Sequence, residues 1–317
     1  MREELPGIKE IEAAAERIAG VASRTPLVES PALSKLTGHE VYLKLECFQP
    51  VRVFKIRGAY NKISLLRQSR VVAASSGNHG IAVAYSSRLL SKKCTVVVPE
   101  NAVSEKVETI AEYGAEVVKA GRYSNEREAE ARRIAEETGA AFVHPFNDPD
   151  VIAGQGTCGL EIAHQLDDID ALLVPVGGGG LISGISTALK AIRPKTRVYG
   201  VEPRSAPKLA EALKAKRVIT VPSPASIADG LIPSSLGELT YKLCSRSVYG
   251  SFTVSEDDIL RATKAMIMGA RVFAEPSGAA PLAPLLSGPT ESLGRRVVLV
   301  ISGGNISKEL LAKILTS

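Results

Sequence analysis

An α/β fold with two doubly wound domains, each on an open, mostly parallel sheet, is predicted from three observations. Short apolar runs alternate with amphipathic stretches of helical length through the middle of the chain. Three of those runs end directly in glycine-rich turns that open the next helix. A hydrophobic fraction of 45% and a charged fraction of 23% over 317 residues suit globular packing, with length for one large or two ordinary domains.

The elements follow in order. The opening stretch, MREELPGIKEIEAAAERIAG, alternates charge with Ile and Ala and reads as an amphipathic helix, not as a secretory signal. The apolar run at 71–74 is a strand, and SSGNHG leads from it into a helical IAVAYSSRLL. A Val-rich strand covers 94–98; Ser104 then caps EKVETIAEY, and Gly114 stops it. A strand at 116–119 precedes a charged helix from Ser124 to Thr138, which ends at Gly139, and 141–144 is the next strand. The spacing then predicts helix 152–166, strand 171–176, helix 181–192 and strand 197–202. A Pro- and Ser-rich tract at 221–235 interrupts the pattern. Helices over 255–270 and 277–286, the strand 296–301 and a helix over 307–315 complete it. Such alternation implies parallel sheets covered on both faces. Residues 70–142 form a small domain; residues 1–69 and 143–317 form a large one, with 145–149 as the return linker.

Composition excludes several functions. The net charge of +5 is mild, and Lys and Arg are interleaved with Asp and Glu, as in SNEREAEARRIAEE, so nucleic acid is not a partner. No apolar run approaches the length that spans a bilayer, which leaves a cytoplasmic protein without membrane contact. Cys47, Cys94, Cys158 and Cys244 are far apart, with no CxxC and no nearby His, and read as free buried thiols.

The three glycine-rich loops are VVAASSGNHGIAVAY, ALLVPVGGGGLISGI and VVLVISGGNISKELL. In open parallel sheets such turns lie at the carboxyl edge, where ligands bind. Bare amides and a helix N-terminus make Gly177, Gly178, Gly179 and Gly180 a natural phosphate cradle. No lysine follows these glycines as in a P-loop. A dinucleotide site is weakened, because Ser183 stands where a third glycine belongs, yet Glu202 is placed like a ribose-binding acid. Lys55 decides between the ligands. It sits in VRVFKIRGAY among Val51, Val53, Phe54 and Ile56, where desolvation makes a lysine amine nucleophilic. A phosphate cradle, such a lysine and polar residues on two further loops are the parts needed to hold pyridoxal phosphate.

With FKIRGA, SSGNHG, VIAGQGT, VPVGGGGL, IADG, EPSGAA and SGGN in that order, the chain resembles the pyridoxal-phosphate enzymes of the tryptophan-synthase-β fold, fold type II, in their threonine dehydratase and serine racemase branch. The likeness runs from about Thr25 to Asn305. It implies an active site in the cleft between a large domain and a small mobile one. It further implies that Lys55 bonds to the cofactor aldehyde, Phe54 lies against the ring, Asn78 meets the ring hydroxyl, and Gly177 to Gly180 hold the phosphate. Ser302 meets the pyridine nitrogen, and the main chain of Ser75, Ser76, Gly77, Asn78 and His79 receives the substrate carboxylate. Ser76 faces the substrate opposite Lys55; Arg127 matches a carboxylate contact of the racemase-like members, but it sits on a heavily charged helix suited to a solvated role and is left out of the core site.

The implied activity is dehydration of L-threonine or L-serine to 2-oxobutyrate or pyruvate with release of ammonia. Serine racemisation is the alternative if Ser76 delivers a proton, and an NAD-linked oxidoreductase the distant one. PFNDP and EPSGAA resemble the dehydratase branch, whereas Ser76 resembles the racemase branch. Two positions depart from the family. Val53 replaces the Ser or Thr before the Phe–Lys pair, and Lys208 stands where some relatives place an acid that binds a divalent metal with Glu202 and Ala206. An ammonium in place of a cation, and no metal, is therefore expected. By analogy the protein is a homodimer, and the chain's end soon after SGGN implies no regulatory domain.

Overall fold

The computed structural model describes residues 5–75, 77–102, 104–121, 124–222, 225–288 and 290–316. The chain opens with α1 (Ile8–Ile18), β1 (Leu27–Glu29), α2 (Pro31–Thr37), β2 (Glu40–Leu45) and α3 (Lys55–Leu65). It continues through β3 (Arg70–Ala74), α4 (Asn78–Leu89), β4 (Lys93–Val98), α5 (Ser104–Glu112), β5 (Glu116–Lys119), α6 (Ser124–Thr138) and β6 (Ala141–Phe142). Next come α7 (Pro149–Gln165), β7 (Ala171–Pro175), α8 (Gly180–Ile192), β8 (Arg197–Pro203), α9 (Lys208–Ala215), α10 (Glu238–Ser247) and β9 (Gly250–Val254). The last elements are α11 (Glu256–Met268), α12 (Pro276–Ala279), α13 (Ala283–Ser287), β10 (Arg296–Ile301) and α14 (Lys308–Thr316).

Two sheets result, one of six strands in the order β1-β2-β10-β7-β8-β9 and one of four in the order β5-β4-β3-β6. All pairings are parallel except β1 with β2. Strands such as β7, buried along their whole length, reflect helices on both faces. One face of the large sheet packs Leu43, Leu173 and Leu299 on α11 and its neighbours; the other packs Leu172, Val174 and Val298 on α7 and α8.

Several elements differ from expectation for local reasons. The strand at 141 is cut to two residues because His144 turns back, its Nδ1 accepting from the amides of Phe146 and Asn147 at 3.2 and 2.8 Å. Helix α7 starts earlier than expected, since Asp148 Oδ1 caps the amides of Asp150 and Val151 and Pro149 takes the first helical position. The stretch 277–286 is split into α12, a 3-10 turn and α13, with Pro281 and Pro284 interrupting it. Helices α9 and α10 and strand β9 were not signalled by periodicity.

Helix α3 matters most for the site. Ile56, Ala59 and Ile63 share a core with the four-stranded sheet, while Gly58 abuts α7. A Cβ on Gly154 of α7 would lie 2.5 Å from Arg57 O and 2.6 Å from Gly58 Cα, so the two helices touch backbone to backbone. Below them, buried Arg57 donates to both Glu46 oxygens (2.7 and 2.8 Å) and both Glu161 oxygens (2.7 and 2.9 Å). Burial alone would raise Glu46, but Arg57 holds its carboxyl below the usual range. This network fixes the helix whose first residue is Lys55.

Candidate active site

Lys55 is half-buried at the start of α3, and its Nζ donates to Pro145 O at 2.8 Å. The next residue, Phe146, lies on the glycine bend: a Cβ on Gly178 would overlap its ring. The amine and the bend are thus joined by two consecutive residues. Loss of surrounding water lowers the Lys55 amine to about 8, so a neutral nucleophile exists near neutrality. Phe54 holds its ring centroid 5.2 Å from that amine.

The bend itself accommodates no side chains. A Cβ on Gly177 would come within 2.6 Å of Gly230 O, and Gly179 adopts φ +91°, a left-handed conformation suited to glycine. Thr240 Oγ1 anchors Gly178 O at 2.8 Å. Because α8 begins at Gly180, its first amides open into the bend. These features fit an anionic group held by main-chain N–H groups.

Two further loops converge on Lys55. Phe54 N donates to Ser302 O at 3.0 Å and Val53 bridges Gly303, so the buried Ser302 is brought to the lysine by backbone pairing. Val53, the departure in the lysine motif, is a core residue there. From the four-stranded sheet, Asn78 starts α4; its Nδ2 donates to Glu275 Oε1 at 2.7 Å, and its Oδ1 accepts from Asn305 at 2.8 Å. One Asn78 N–H remains for a ligand oxygen. The amides of Asn78 and His79 lie in the first turn of α4, whereas Ser75 N continues the sheet to Val97 O and Gly77 N is taken by Ser75 Oγ. His79 lies 2.9 Å from Val143 O through Nε2; burial, then the charge of Lys55, push it down to about 3, so it is neutral and donates there. Ser76 lies outside the described residues. Arg127 is on α6.

Glu202 and Lys208, expected in place of a metal site, are fully buried together. Lys208 Nζ donates to Ala206 O and Leu231 O at 3.0 Å each and lies 3.4 Å from Glu202 Oε1. Burial lowers the Lys208 amine, and Glu202 offsets part of that. Among the described residues no group of three His, Cys, Asp or Glu could hold a metal ion. All four cysteines are free and buried. No described helix is long and apolar enough to cross a membrane.

Sequence reasoning missed Glu275, Lys106 and Asp229. Lys106 of α5 forms an ion pair with Asp229, and its side chain lies against Gly77. EPSGAA and IADG marked two of these segments, yet nothing local in them assigns a partner. Phe146 and Asn147 lay in the segment taken as a linker; Asn147 Oδ1 accepts Leu239 N at 2.9 Å and fastens it to α10.

A family model described as pyridoxal-phosphate dependent enzyme matches residues 18–303. The L-threonine ammonia-lyase of Thermotoga maritima is 41% identical over 312 residues, which cover 97% of this chain and 78% of that protein. The beta-hydroxyaspartate dehydratase of Paracoccus denitrificans is 38% identical over 311 residues, 97% of this chain and 98% of the relative. Among solved structures, that of maize serine racemase superposes with a TM-score of 0.94 at 37% identity, covering 99% of this chain and 98% of the other.

Proposed function

The chain belongs to the pyridoxal-phosphate dependent enzyme family, and on that premise we propose that it dehydrates L-threonine and L-serine to 2-oxobutyrate or pyruvate and ammonia. The observation that carries this reading is the half-buried Lys55 amine, joined through Pro145 and Phe146 to a bend of four glycines. Gly177 to Gly180 would hold the cofactor phosphate, Asn78 its ring hydroxyl and Ser302 its pyridine nitrogen, with Phe54 supporting the ring. When bound, pyridoxal phosphate withdraws electrons from the substrate Cα and acidifies its proton.

The protein's own groups do the rest. The amides of Asn78 and His79, which open α4, would bind the substrate carboxylate beside Lys55. The neutral Lys55 amine takes the Cα proton. Ser302, being uncharged, would not hold a proton on the pyridine nitrogen, and the β-hydroxyl would leave as water, balanced by the proton that Lys55 takes from Cα. Neutral His79 adds no charge to the carboxylate site.

Racemisation of serine is a second reading, supported by the likeness to maize serine racemase and requiring an acid such as Ser76 opposite Lys55. A cytoplasmic homodimer is further inferred, for which exposed Met268 and Phe273 offer apolar surface. In a test with L-threonine, L-serine and L-threo-3-hydroxyaspartate, oxo acid, ammonia and the opposite enantiomer are measured together. Oxo acid from the first two dominates if the proposal is right; enantiomer as main product replaces it with racemisation. Lys55→Ala abolishes turnover and the visible band of the bound cofactor, and an active, coloured variant would sink the assignment.

A further inference from the structure

Glu275 lies between two parts of the site without an assigned task. It is 3% exposed, and its Oε1 accepts the Asn78 amide at 2.7 Å. The same oxygen crowds the place a Cβ would take on Gly303, the residue after Ser302. Its amide donates to Gly303 O at 3.1 Å, so backbone pairing holds it there. Its other oxygen, Oε2, is buried and, among the described residues, has no hydrogen-bond partner. A buried oxygen left in this way is costly unless a ligand completes it.

We propose that Glu275 is a positioning residue, fixing the Asn78 side chain with one oxygen and keeping the other for the bound cofactor. The inference rests on the reading that Asn78 and Ser302 flank the cofactor ring. The charged and titratable groups around Glu275 are Asp229 and Lys106, paired with each other, and the buried Cys47 thiol. Burial, followed by the charge of Asp229, pushes Glu275 up to about 8, while Lys106, Asn78 and the main chain of Asn305 pull the other way. It therefore carries a proton at neutral pH, and with Ser302 keeps that side of the pocket free of net charge. An anionic carboxylate there would favour a protonated pyridine nitrogen, against the role of Ser302.

The test is cofactor affinity, not turnover. Apoprotein is titrated with pyridoxal phosphate at pH 7, following the visible band, for wild type, Glu275→Gln and Glu275→Ala, each with and without Asn78→Ala. Glu275→Gln, which keeps the acceptor and has no charge, should bind within threefold of wild type. Glu275→Ala should bind at least tenfold more weakly, and by less than threefold more weakly where Asn78 is already Ala. The proposal is overturned if Gln binds as poorly as Ala, if Ala binds like wild type, or if the Ala penalty persists in full without Asn78. Urea midpoints of the apoproteins identify any general loss of fold; should Glu275→Ala unfold, Glu275→Gln alone decides. Wild-type protein that takes up no pyridoxal phosphate sinks the functional reading itself, an outcome distinct from each of these.

Discussion

The surroundings of Lys55, rather than a charged partner, lower its pKa. Desolvation is the cause of the depressed Lys55 pKa, so its amine is mostly protonated at pH 6 and mostly free above about 8. Reconstitution of apoprotein should therefore accelerate from pH 6 to about 8.5 and then level off, when the growth of the visible band is timed after adding pyridoxal phosphate. A rate still climbing steeply from pH 9 to 10.5 would show an ordinary, solvated lysine. The apolar setting of this residue was legible in VRVFKIRGAY. The acceptor of its proton, Pro145 O, lies 90 residues away and was not.

At the scale of elements, the sequence patterns worked where strand, glycine turn and helix are contiguous. Those three loops were readable because each is decided within about 15 residues by apolar period and punctuation. Helix α9 escaped notice because it lacks a capping residue next to its start: Glu202, from the end of the preceding strand β8, accepts the amides of Leu209 and Ala210 at 2.7 and 3.0 Å. The same carboxylate faces Lys208, so one buried anion caps a helix and balances one buried cation. Replacing Lys208 by Ala leaves Glu202 uncompensated, at a cost on the order of 3–5 kcal/mol in unfolding free energy, read from urea denaturation. Wild-type activity should survive excess chelator, because the ammonium already bonds to Ala206 O and Leu231 O. Loss of activity on chelation would contradict a built-in cation.

Across the whole molecule, Lys106 of α5 pairs with Asp229, which lies in the turn beside the glycine bend. The pair joins segments that belong to different sheets, with the Lys106 side chain against Gly77. Lys106→Ala should raise KM several-fold with less effect on kcat, and should speed hydrogen exchange in α4 and α5; unchanged exchange and KM would refute a closing role. Chain order alone determined the α/β class, and marked the three glycine-rich turns and a lysine among apolar side chains, because these follow from local period, glycine placement and apolar neighbours. Only the tertiary structure decided which side chains meet. Asn78 and Glu275 are 197 residues apart and Lys106 and Asp229 are 123 apart, and strand order, not nearby sequence, sets such distances. Burial then gives Glu275, Lys55 and Lys208 their protonation behaviour, because the water that would solvate their charges is removed only when remote segments close over them.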